Sequence, residues 1–123
     1  MKKFLVLCTF VLVVGCASST QTARQVVAGM ATVYATASLS FETYARLPRC
    51  SAQVPQPCSE AAKVVEIGPK LLLARDAVDT ARKFVNTLPE DAPVATLTAD
   101  QRAMLDTAAQ VVGAANTAIQ GVK

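Results

Sequence analysis

Apolar residues return at alternating intervals of three and four along three separate stretches of the chain. The first stretch carries Ala23, Val27, Met30, Tyr34, Ala37, Phe41 and Tyr44, and the second Val64, Ile67, Leu71, Ala74, Val78, Ala81, Val85 and Leu88. The third carries Leu105, Ala108, Val112, Ala115, Ile119 and Val122, widened to one side by Met104, Val111 and Ala118. A helix of 3.6 residues per turn places each such series on one face. No segment alternates with period two over the length of a strand, so the pattern predicts an all-α protein. Three stripes of similar length joined by short loops predict an antiparallel three-helix bundle.

The punctuation between stripes sets the boundaries. Pro48 disfavours helical backbone at the residue before it, which ends the first helix near Leu47. The loop from 48 to 59 carries Pro48, Pro55, Pro57, Cys50 and Cys58 and has no period of its own. Ser59 is placed to cap the second helix, with Glu60 favourable near the positive end of its dipole. The second stripe keeps its phase across Gly68-Pro69. That continuity favours one helix bent at Pro69, the alternative being a new helix opened by Pro69 at its first position. Glu66 with Lys70, Arg75 with Asp79, and Asp79 with Lys83 stand four apart, as weak pairs on a solvated face. Pro89 to Pro93 forms the second loop, and Thr98-Ala99-Asp100-Gln101 matches a capping box that starts the third helix. Thr and Ser residues lower the propensity of the first helix, so packing must hold it. Gly113 and Gly121 each weaken the third by about 1 kcal/mol unless they permit a close helix contact.

Alanine is frequent along all three stripes, so the helices can approach closely while each contact buries little area. At about 25 cal/mol per Å² such a core is modest. Either the loop cysteines carry part of the stability, or a face is left open for a partner or a second copy.

The chain upstream of the first helix reads differently. Met1-Lys2-Lys3 is basic and Phe4 to Val14 is free of charge, the two parts of an export signal. A helix over that run reaches about 16 Å, short of the hydrocarbon core of a bilayer. The run ends in Val13-Val14-Gly15-Cys16, which resembles the lipobox of bacterial lipoproteins. The resemblance implies that residues 1–15 are a signal peptide, that Cys16 takes a diacylglycerol, and that residues 16–21 tether a helical domain of residues 22–123. Ala17 is not Asp, which in the sorting pattern of enteric lipoproteins implies the outer membrane, facing the periplasm. Cleavage after Ala17 by an ordinary secretory route is the alternative.

With Cys8 in the leader and Cys16 acylated, Cys50 and Cys58 remain as the thiols of the mature chain. In an exported protein the reading is a disulfide, which over so short a loop contributes about 2 to 3 kcal/mol. Zinc would need two more ligands, and the 123 residues include no histidine. Thiol exchange is disfavoured because the spacing is not Cys-x-x-Cys.

Composition narrows the function classes. The net charge of +3 includes Lys2 and Lys3, so the mature chain is near balance and has no footprint for nucleic acid. Aromatics make up 5% of the chain with no Trp, too few for a base-stacking surface. The missing histidine removes the usual general base and nucleophile activator. Glu90-Asp91 lies among prolines, Asp76 and Asp79 are interleaved with Arg75, Arg82 and Lys83, and Gly68-Pro69-Lys70-Leu71 lacks phosphate-loop spacing. Tyr34 and Tyr44 fit the first stripe as packed residues with a polar edge. The expectation is a non-enzyme without a cofactor or metal.

The run Tyr44-Ala45-Arg46-Leu47-Pro48-Arg49-Cys50, followed by Cys58-Ser59, resembles small helical proteins encoded by bacteriophages and prophages. That likeness covers the loop and its flanks and implies an origin rather than a mechanism. The functional expectation is therefore a lipid-anchored envelope protein that binds a protein partner or copies of itself through its bundle. The alternative is a phage-derived envelope effector, acting in superinfection exclusion or as a lysis accessory.

Overall fold

A computed structural model describes residues 21–122. The leader, the lipobox and Cys16 lie outside the described residues. Among the described residues three helices make up the fold: α1 Ala23–Ala45, α2 Ala61–Val85 and α3 Ala99–Gln120, with a short 3-10 turn at Val94–Thr96 before α3. Among the described residues the backbone otherwise pairs at two isolated bridges, Thr22 with Pro93 and Arg49 with Ser59. Each helix packs against the other two, giving a three-helix bundle.

Most of the stripe positions read from the sequence become its core, while Val64 and Met104 stay half-buried outside it. Ala23, Val27, Met30 and Ala37 of α1, Ile67, Leu71, Ala74, Val78, Ala81 and Val85 of α2, and Leu105, Ala108, Val112, Ala115 and Ile119 of α3 are buried. Tyr34, Phe41, Leu88 and Val122 pack at its margin. Leu97, which belongs to no stripe, is also buried, and plugs the core from the loop ahead of α3. Ala74 is fully buried at the centre of α2, where a methyl side chain lets neighbouring helices close in.

Both α1 and α3 start with a capping box. Thr98 and Gln101 exchange hydrogen bonds as the sequence predicts, and Thr22 and Gln25 do the same ahead of α1. The second box was equally legible in Thr22-Ala23-Arg24-Gln25. Three threonines of α1 turn inward on their own helix: the hydroxyls of Thr32, Thr36 and Thr43 donate to carbonyls four residues back. α2 is continuous through Pro69, as the unbroken phase of its stripe predicts.

α1 ends at Ala45 with Arg46 as its C-cap, close to Leu47 as Pro48 requires. Two local expectations are corrected. Ser59 does not cap α2. Its N-cap is Glu60, without a side-chain cap bond, because the Ser59 hydroxyl is fully buried and donates instead to the Leu47 carbonyl at 3.0 Å. Asp79 pairs with Arg75 and Arg82, at 3.9 and 3.8 Å, rather than with Lys83. Gly113 faces open space, so no close helix contact offsets its cost, while Gly121 falls at the C-cap of α3.

The two ends of the bundle are built differently. At one, the chain entering α1 is tied to the loop before α3 by Ala23 N–H to Ala92 O and Val94 N–H to Gln21 O. At the other, the loop between α1 and α2 folds back on itself through Cys50 N–H to Ser59 O and Ser59 N–H to Pro48 O. A tether at residue 21 therefore leaves the molecule from the end opposite the cysteine loop.

Candidate functional site

Cys50 and Cys58 are joined by a disulfide with their Cα atoms 5.0 Å apart. Cys50 is exposed and Cys58 buried, so the bridge fastens the outer arm of the loop to the end of the bundle. Two neighbours reinforce it. Ser59 holds the Leu47 carbonyl, as described, and the Tyr44 hydroxyl accepts from the Glu60 N–H at 2.8 Å. Tyr44 thus supplies from α1 the cap that α2 lacks from its own sequence. The segment 44–59 is a closed clasp between two helices, held by the disulfide and by the hydroxyls of Tyr44 and Ser59.

Beside the clasp lies an open groove of about 440 Å³, with Leu39, Leu47, Pro57, Ile119 and Val122 along it and the hydroxyls of Ser40 and Thr43 at its edge. It contains no acidic or basic side chain. A second hollow of about 380 Å³ between α2 and α3 is lined by Asp76, Ala77, Thr80, Ala81, Met104, Thr107 and Ala108. Among the described residues no group of three or more potential metal ligands comes together. None of the described helices is long and apolar enough to cross a membrane.

The most unusual surface is the outer side of α2. Val65 is 75% exposed and Leu72 and Leu73 are each 62% exposed. With Ala61, Ala62 and Pro69, also exposed, they form a strip over the first half of the helix, on the side away from Ile67, Leu71 and Ala74. None of these six side chains is charged. One border carries Lys63, Glu66 and Lys70, in which Glu66 meets Lys70 at 3.0 Å and Lys63 at 3.8 Å. The hydrogen bond from Lys70, then its charge, then that of Lys63, hold the Glu66 carboxyl below its ordinary value of 4.5. A carboxyl shifted in that direction contributes stability above its unfolded value and loses it as the pH falls through the folded one.

No family model, curated protein or solved structure matches this chain.

The strip is legible in the sequence. Leu71-Leu72-Leu73 and Val64-Val65 are consecutive apolar residues, and neighbours on a helix cannot share one face. At least one member of each run has to point outward, and in the leucine run two do. The residues singled out from the sequence fare unevenly: Cys50 and Cys58 are brought together, and Tyr44 is at the clasp. Tyr34 packs against the core margin, and Glu90-Asp91 sits in the loop after α2 away from both hollows.

Proposed function

We propose that this protein is a small lipid-anchored lipoprotein of the bacterial envelope, held at Cys16 and facing the periplasm from the outer membrane. It acts as a non-enzymatic helical module for protein association. The observation that carries the association is the uncharged strip on the outer side of α2. Large apolar side chains left open in a contiguous patch, on a chain with so modest a core, mark a surface awaiting a protein. The anchor rests on the Val13-Val14-Gly15-Cys16 sequence and on the disulfide between Cys50 and Cys58, which suits an oxidising compartment.

The test is metabolic labelling with a radioactive or alkyne fatty acid in cells producing the full chain, followed by membrane fractionation. Wild type should carry label and sediment with the envelope. Cys16→Ser should lose both, and a variant that keeps its label and its membrane partition would refute the anchor.

A second reading is favoured by the clasp, whose residues Tyr44 to Cys50 and Cys58-Ser59 resemble those of phage-encoded helical proteins. On that reading the module serves a phage or prophage at the envelope, as an exclusion factor or lysis accessory. Plaque counts of superinfecting phages on cells with and without the gene separate the two: a drop of several orders of magnitude supports exclusion, and equal counts oppose it.

A further inference from the structure

We propose that the exposed strip of α2 is covered by the same strip of a second copy, the two α2 helices running antiparallel about a two-fold axis near Gly68. This rests on the reading of the protein as an anchored association module and names its partner. The choice of partner follows from the charges beside the strip. A two-fold axis perpendicular to paired helices brings each border of one helix against the same border of the other. With the axis at Gly68, Glu66 of one copy stands level with Lys70 of the other, and the reverse, so the border carrying Lys63, Glu66 and Lys70 is complementary to itself. Parallel pairing would oppose that border to the one carrying Arg75, setting Lys70 near Arg75. The antiparallel arrangement therefore turns a repulsion into two attractions.

The area is consistent with a weak pair. Ala61 to Leu73 spans about 18 Å of helix, and two such strips together bury on the order of 1,000 Å², near the lower bound of a specific interface. Confinement to a membrane raises the effective concentration enough for such an interface to be occupied. Antiparallel pairing puts the two chain entries at opposite ends of the dimer, so both reach one membrane when the pair lies along it.

The experiment is photocrosslinking of the full chain in intact envelopes, with benzoylphenylalanine introduced at Val65 and, as a control, at the exposed Ala109 on the outer side of α3. The expected product from position 65 is a covalent adduct of twice the chain mass whose crosslinked peptide begins at Leu71 of the second copy, with the control at least tenfold weaker. Glu66→Lys should lower the yield at least fivefold, and Glu66→Lys with Lys70→Glu should restore it. Circular dichroism of each variant confirms folding. An adduct to a different protein, an adduct to lipid, or no adduct would each overturn self-pairing. The first of these would leave the association module standing, whereas loss of fatty-acid label would instead remove the anchor on which that module depends.

Discussion

At the scale of single residues, the most consequential side chain is one whose sequence role and structural role differ. Ser59 precedes a helix, which by local rules makes it a cap, yet its hydroxyl crosses to the Leu47 carbonyl and is fully buried there. A buried acceptor that loses its donor incurs its full desolvation cost, so Ser59→Ala should destabilise by about 1 to 2 kcal/mol. An exposed N-cap serine facing solvent would show a similar loss, but only the buried arrangement also predicts faster amide exchange at Cys50 in the variant, since the Cys50 N–H bonds the Ser59 carbonyl. Hydrogen exchange on wild type and variant checks both. Gly113 is the opposite case. A Cβ added there meets nothing within 4 Å, and glycine in a helix interior is about 1 kcal/mol less favourable than alanine. Gly113→Ala should therefore raise the melting temperature, and an unchanged or lowered value would mean that the outer side of α3 is covered by something in the molecule's working state.

At the scale of elements, the helices were readable because their burial follows a regular period, whereas the strip departs from that period and shows in the sequence only as apolar neighbours that cannot share one face. All six residues of the α3 stripe from Leu105 to Val122 line the core or its margin, and the loops were marked by prolines. The clasp could not be foreseen in detail. Its pairings, Tyr44 to Glu60 and Ser59 to Leu47, join residues 16 and 12 positions apart and depend on how α1 and α2 meet. No local motif encodes them. Pro69 lies between these cases: its position within α2 followed from the unbroken phase of the stripe, but what it does on an exposed face did not. A proline in a helix interior removes one backbone hydrogen bond and crowds the preceding turn, at a cost of up to about 3 kcal/mol relative to alanine. Pro69→Ala should therefore stabilise the monomer by about 1 to 3 kcal/mol in thermal or denaturant unfolding. A gain would show that Pro69 is kept at the expense of stability, which fits a residue at the centre of an association surface.

For the whole molecule, the question is what holds three alanine-rich helices together. The core residues that are entirely enclosed are few and of medium size, Ile67, Ile119 and Val78 among them, and among the described residues no aromatic ring is fully buried. Small domains of this kind have little stability to spare, on the order of 5 kcal/mol. The disulfide closes a loop in which Cys50 and Cys58 are 8 residues apart, and opening it releases chain entropy in the unfolded state worth about 2 to 3 kcal/mol. Replacing both cysteines by alanine should then remove a large share of the total. Because Tyr44, Leu47, Ser59 and Glu60 all depend on the clasp, that loss should concentrate at its end of the bundle. Hydrogen exchange provides the discriminating measurement. Amides at the start of α2 and the end of α1 should exchange faster by ten-fold or more in the double variant, while those around Thr98 and Thr22, at the capped end, should follow only the global unfolding. A uniform acceleration along the three helices would mean that the bridge acts on the unfolded chain alone and that the clasp is rigid without it.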